Sequence, residues 1–171
     1  MERAIDYQSQ SVPRLAAAAS RAEQFSIWAM RLWWCGFPEI DSVWPDFAQG
    51  FRACGVAPAL ESCHRICSIA LATAGCGNGI ACLHCPHIAP AEEQLLAALV
   101  AANSGESDRS EMLFRQFLPA TAARLVAPQA VHYAQILTHA GLLWPPSIAI
   151  ERAHRALNGL HSSALSSDRL H

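Results

Sequence analysis

Five of the seven cysteines and three of the eight histidines fall between Cys63 and His87. The densest stretch starts at Cys76, crosses a glycine-rich turn (Gly77, Gly79) and ends in Cys82-Leu83-His84-Cys85-Pro86-His87. The C-x2-C spacing of Cys82 and Cys85 lets two thiolates grip one metal ion from a tight turn. Cys76 together with His87, or His84 in its place, would complete a tetrahedral site of the kind zinc prefers. A second arrangement adds Cys63 and Cys67, four apart on one helix face, to Cys82 and Cys85 as an all-thiolate site. An iron–sulfur cluster fits less well, because Cys76-x5-Cys82-x2-Cys85-Pro86 matches neither common ferredoxin spacing. A redox thiol pair at Cys82 and Cys85, placed before a helix N-terminus, is a further chemistry open to these residues, although the strand–helix context of thioredoxin-type pairs is missing.

The same cysteines also have a plainer reading. Cysteine behaves as a small hydrophobe, and Cys63 and Cys67 lie in a stripe where alanine or leucine would serve, so they read as core. Cys35 and Cys54 each precede a glycine at a helix end and take no chemical role. Other catalytic patterns are missing from the sequence: no G-x-S-x-G, no glycine-rich phosphate loop and no H-E-x-x-H. His132 and His139, seven apart on one helix, read as core or interfacial. Glu92 and Glu93 read as helix-start electrostatics. Trp28, Trp33, Trp34 and Trp44 read mostly as core, with one or two at a partner surface or ligand groove.

Composition narrows the function classes. All twelve basic residues are arginine, which reads as a GC-rich bacterial codon bias. Without lysine, Schiff-base and P-loop chemistry are excluded, because both need an amine. The net charge is −2 and the arginines are scattered, which argues against nucleic-acid binding, where clustered positive charge is needed. With 52% apolar and 15% charged residues, the chain is a packed domain whose surface suits a protein partner, a homodimer being the simplest. Residues 1–10 lack the apolar core of a secretory signal. No apolar run of membrane-spanning length occurs, since the greasiest segment, Phe25 to Phe37, carries Arg31. An odd cysteine count without an export signal points to a reducing cytoplasm.

The elements that must position the cysteines are helices. The punctuation by proline and glycine predicts a flexible N-terminus at 1–12, a helical domain at 13–157 and a flexible tail at 158–171. A first helix is expected from Ser11 or Pro13 to Trp34, stopped by Gly36 and Pro38, and a second from Ser42 as N-cap to Cys54, ended by Gly55. A third should run from Pro58 to Gly75, with Leu60, Cys63, Ile66, Cys67, Ala70 and Leu71 buried. Pro90 opens a fourth through Asn103, with Leu95, Leu96, Leu99 and Val100 apolar. A fifth should span Asp108 or Ser110 to Phe117. A short piece at Ala120–Val126, a helix from Pro128 to Gly141 and a last one from Ser147 to Leu157 complete an all-α bundle of about six or seven helices. The Gly/Cys/His-rich stretch connects the third and fourth.

The middle of the chain resembles an uncharacterised family of small helical alphaproteobacterial proteins with a Cys-Pro element before a helix. The shared residues are Met30-Arg31, Gly36, Phe51-Arg52, Cys85-Pro86, and then Glu92 with Leu95-Leu96. The family pattern clusters cysteines directly before the proline, whereas here Leu83 and His84 take part of that place. The resemblance implies a helical fold and importance for Cys85-Pro86, and it carries no activity. The sequence therefore favours a non-enzymatic helical binding or regulatory protein with a structural metal site. The alternative is a small thiol-based redox protein or enzyme using Cys82 or Cys85.

Overall fold

A computed structural model of the chain describes residues 13–37, 39–74 and 79–146. The expected flexible ends, the helix at Ser147–Leu157 and Cys76 lie outside them, as does the Leu71 side chain. The described residues form six α-helices: α1 (Arg21–Gly36), α2 (Ile40–Ala53), α3 (Ala59–Ala74), α4 (Pro90–Asn103), α5 (Ser107–Phe114) and α6 (Ala120–His139). The expected all-α architecture is what the chain adopts. No described helix is long and apolar enough to cross a membrane.

The first helix begins later than its alanine-rich opening suggests. Ser20 accepts from the Glu23 amide at 3.3 Å, while Glu23 accepts from the Ser20 amide at 2.8 Å. This reciprocal capping box fixes the start at Arg21. Ala16–Ala18 make only a 3-10 turn, because the backbone just ahead of them is paired elsewhere in the fold. The second helix starts at Ile40, ahead of the expected cap; the Ser42 hydroxyl instead donates back to the Glu39 carbonyl at 2.7 Å. It ends as expected at Gly55, whose φ of +70° suits glycine. The Val56 amide then reaches the Phe51 carbonyl at 2.9 Å, a Schellman closure. Gly105 ends α4 the same way, with the Glu106 amide on the Ala101 carbonyl at 3.0 Å.

The two helices expected on either side of Pro128 are one. Ala123, Val126, Ala127, Ala130, Tyr133, Ala134 and Leu137 are all buried, so the apolar stripe continues at helical spacing straight through the proline. Pro128 cannot donate to the Arg124 carbonyl, but both residues are exposed. Water can take the orphaned acceptor, and packing on the opposite face outweighs the local penalty.

Helix α4 is buried on several sides because α5, α6 and α1 all pack on it, and α3 joins this group to α1 and α2 by lying on both α6 and α1. Its Cys63, Ile66 and Cys67 are buried, as read from the sequence. At the α1–α2 contact, Phe25 meets Phe51 edge-on at 4.9 Å and Trp28 stacks on Phe47 at 6.4 Å. The close approach requires Gly50, where an added Cβ would fall 2.1 Å from the Trp28 ring. Across the core, the buried Tyr133 hydroxyl pairs with Ser26 at 3.0 Å. Burial pushes the Tyr133 phenol well up, and the hydrogen bond to Cys67 together with burial raises the Cys63 thiol.

Two outcomes follow from this packing. Gly50→Ala should destabilise the fold by about 1–3 kcal/mol in urea unfolding, despite alanine's better helix propensity; an unchanged midpoint would show that Trp28 is free to move aside. Stability should also fall as pH rises past the ordinary thiol and phenol values of about 8.5 and about 10. There the unfolded chain gives up protons that the folded chain keeps on Cys63 and Tyr133, so the unfolding free energy drops with pH. Tyr133→Phe should flatten the alkaline part of that slope in urea midpoints taken across the range.

Candidate functional site

Residues 79–89 carry no helix, yet their backbone is held in one shape by a side chain from another element. Arg31 lies on α1 and Glu92 in the first turn of α4, only 2% and 0% exposed. Arg31 Nε donates to Glu92 Oε1 at 2.7 Å and Nη2 to Oε2 at 2.8 Å. The remaining donors turn to the loop: Nη1 reaches the Cys85 carbonyl at 2.6 Å and Nη2 the His87 carbonyl at 2.7 Å. Glu92 in turn accepts from the Ala81 amide at 3.2 Å and the Ala89 amide at 2.8 Å. Both charges are thus satisfied on every side, the condition on which a buried ion pair persists. The hydrogen bond to Glu92 outweighs burial and holds the Arg31 guanidinium above its already high ordinary value.

The chain before α1 closes the loop from the other side. Ala16 donates to the Pro86 carbonyl and Ile88 to the Arg14 carbonyl, each at 2.8 Å, making one antiparallel bridge between Leu15 and His87. Arg14 ties this strap down, pairing with Glu93 at 2.8 Å and with the buried Glu23 at 2.8 Å.

With its carbonyls turned toward Arg31 and the strap, the loop leaves Cys82, His84, Pro86 and His87 exposed and Cys85 half-buried. The Cys85 amide donates to the Cys82 carbonyl at 3.1 Å, so the C-x2-C spans a closed β-turn. Of the proposed ligands, Cys82, Cys85 and His87 share this loop, with His84 beside them, while Cys76 lies outside the described residues. Among the described residues, no group of three or more His, Cys, Asp or Glu side chains is arranged to hold a metal. The all-thiolate alternative does not form, since Cys63 and Cys67 sit in the core and contact each other. All six described cysteines are free, with Cys35 and Cys54 exposed at the ends of α1 and α2.

The structure corrects other expectations. Glu92 does serve the start of its helix, but its main partner is Arg31, which sequence reasoning missed. The signal was present: a lone arginine inside the apolar run Phe25 to Phe37 must find a buried acid or leave the core. His132 and His139 are exposed, which rules out the core half of their core-or-interfacial reading. His139 Nδ1 approaches the Gln135 carbonyl at 2.6 Å. His132 Nδ1 pairs with Ser62 Oγ at 2.9 Å, but Ser62 is only 3% exposed, so this pair presents no accessible nucleophile. Trp33 is buried and donates to His64 Nδ1 at 2.9 Å; Trp28, Trp34 and Trp44 are half-buried against the core.

Compared with protein-family models, curated proteins and solved structures, the chain finds no match. Of the short motifs quoted from the sequence, Arg31, Cys85 and Glu92 meet in this network.

Removing one partner of the buried pair leaves the other charge uncompensated. Arg31→Met should cost about 3–5 kcal/mol in urea unfolding and speed amide exchange at Ala81 and Ala89. A loss below about 1 kcal/mol, with both amides still protected, would show that the pair does not hold the loop.

Proposed function

We propose that this chain is a non-catalytic helical binding or regulatory protein whose working surface is the loop at residues 82–87. The observation that carries the reading is the division of labour within that loop: its carbonyls are bound to the buried Arg31 and to the strap, while thiol and imidazole side chains face outward. A loop with so firm a backbone is preorganised, so a ligand meets side chains that need little further ordering.

Metal binding is the chemistry these side chains suit best. Cys82 and Cys85 would supply two thiolates from the turn, and Cys76 with His87, or His84, would complete a zinc site. Zinc there would join the Cys76 end of the connecting segment to the end that Arg31 anchors, so the site would be structural and the bound protein the regulatory species. Low surface charge, with Met112 and Leu125 exposed on α5 and α6, suits a protein partner or a second copy of the chain. Free thiols fit a cytoplasmic location.

Elemental analysis of the untagged protein tests the metal site. About one zinc per chain is expected, and Cys85→Ser should lower metal content and melting temperature together. A metal-free protein whose melting temperature is unmoved by Cys85→Ser would end this reading.

A further inference from the structure

We propose that Cys82 and Cys85 form a reversible disulfide within the loop and that its closure weakens the hold of Arg31 on the loop backbone. The proposal rests on the reading of residues 82–87 as the working surface and supplies that surface with a means of regulation.

Geometry distinguishes this pair from the other cysteines. The turn closed by the Cys85 amide on the Cys82 carbonyl, at 3.1 Å, keeps the two Cα atoms within about 7 Å. That separation falls in the range a disulfide spans without large backbone movement. Accessibility is graded as a two-step exchange requires, with Cys82 exposed and Cys85 half-buried behind it. Cys35 and Cys54 are also exposed but sit at the ends of different helices. Cys63 and Cys67 are near each other but buried, out of reach of an oxidant in solution.

The oxidant is a low-molecular-weight disulfide of the glutathione class. The Cys82 thiolate attacks one of its sulfurs, forming a mixed disulfide and displacing one thiolate. The Cys85 thiolate then attacks the Cys82 sulfur and releases the second thiolate. Two protein thiols become one disulfide, one small disulfide becomes two thiols, and the two protons lost by the protein pass to the departing thiolates.

Closure reaches further into the fold because Cys85 is an anchor as well as a thiol. Its carbonyl accepts from Arg31 Nη1 at 2.6 Å, and Arg31 also holds His87 and Glu92. The backbone torsions of the turn must adjust to the fixed S–S dihedral, and that adjustment falls on a residue whose carbonyl is one of the guanidinium's partners. Strain at Cys85 therefore passes to Glu92, and through it to the Ala81 and Ala89 amides.

The full-length protein is equilibrated in stepped ratios of reduced to oxidised glutathione, quenched with acid, alkylated and mapped by peptide mass, with zinc measured on the same samples. The expected result is a Cys82–Cys85 disulfide forming in a single transition, while Cys35 and Cys54 carry only mixed disulfides or alkyl groups. Amide exchange at Ala81 and Ala89 should quicken several-fold in the oxidised form. Cys82→Ser, a change at an exposed side chain, should leave the helical circular dichroism intact and Cys85 largely a free thiol, whereas Cys85→Ser should trap Cys82 as a mixed disulfide with glutathione. The proposal is overturned if Cys82 and Cys85 glutathionylate separately, if either pairs with Cys76 or another chain, or if exchange at both amides is unchanged on oxidation. A metal-free protein that still forms the disulfide would sink the zinc reading and keep this one. A zinc-loaded pair that resists oxidation at every ratio would do the reverse.

Discussion

An arginine and a glutamate stripped of water set the terms for the rest of this fold. Removing a guanidinium and a carboxylate from solvent costs several kcal/mol for each, and their mutual attraction offsets that only with tight geometry and no donor or acceptor left over. Glu92 alone cannot satisfy Arg31, so the Cys85 and His87 carbonyls are drawn in. Arg31 alone cannot satisfy Glu92, so the Ala81 and Ala89 amides are drawn in as well. A segment without helix or strand thus acquires a defined path because two charges elsewhere require its backbone groups. The same requirement sets α1 against the start of α4, since the pair forms only if both helices arrive in register.

Around that constraint the packing is ordinary. Helices α4, α5 and α6 form one group, α1 and α2 another with an aromatic seam, and α3 bridges them. Small residues make the central contacts close: Ala98, Ala101 and Ala102 on α4 and Ala123, Ala127, Ala130 and Ala134 on α6 are all buried. Alanine suits a helix and lets a neighbour approach, which is how a chain with so few charges buries a helix on several sides. Two buried side chains of this interior are paired, Ser110 with the Ala98 carbonyl at 2.9 Å and Ser26 with Tyr133. The outer strap shows the weaker version of the central device. Arg14 is about one-third exposed and joins two glutamates, one of them buried.

What could be read from the sequence was whatever local rules decide. Pro90 and Gly55 marked helix boundaries correctly because a missing amide hydrogen or a positive φ is a property of one residue. Burial of Cys63, Ile66 and Cys67 on α3 followed from spacing alone, while Leu60 and Ala70 of the same stripe are only half-buried. Misreadings arose where a rule met a competitor. Leu15 to Ala19 favours a helix by composition, but Ser20 and Glu23 cap one just beyond it and the Arg14 and Ala16 backbone pairs with residues 86–88. Pro128 breaks a helix by rule, yet its penalty falls on the wet side of a well-buried stripe. The candidate loop was found from its cysteines, while the pair that shapes it lies 61 residues apart in sequence and has no local signature beyond an arginine among apolar neighbours.

That asymmetry bears on how the loop can act. A thiol and imidazole cluster is usually read as something a metal must organise, with the backbone following the ligand. Here the backbone from Ala81 to Ala89 is organised by a buried ion pair, and the side chains inherit their positions. Chemistry at Cys82, which is exposed and meets Arg31 through charge, can change without moving a carbonyl that the guanidinium holds. Chemistry at Cys85 cannot, because its carbonyl is part of the pair's solvation. The two cysteines of one C-x2-C are therefore unequal: one faces the solution, the other reports to the core, and any event that joins them through a metal or through a bond couples the surface of the loop to the contact between α1 and α4.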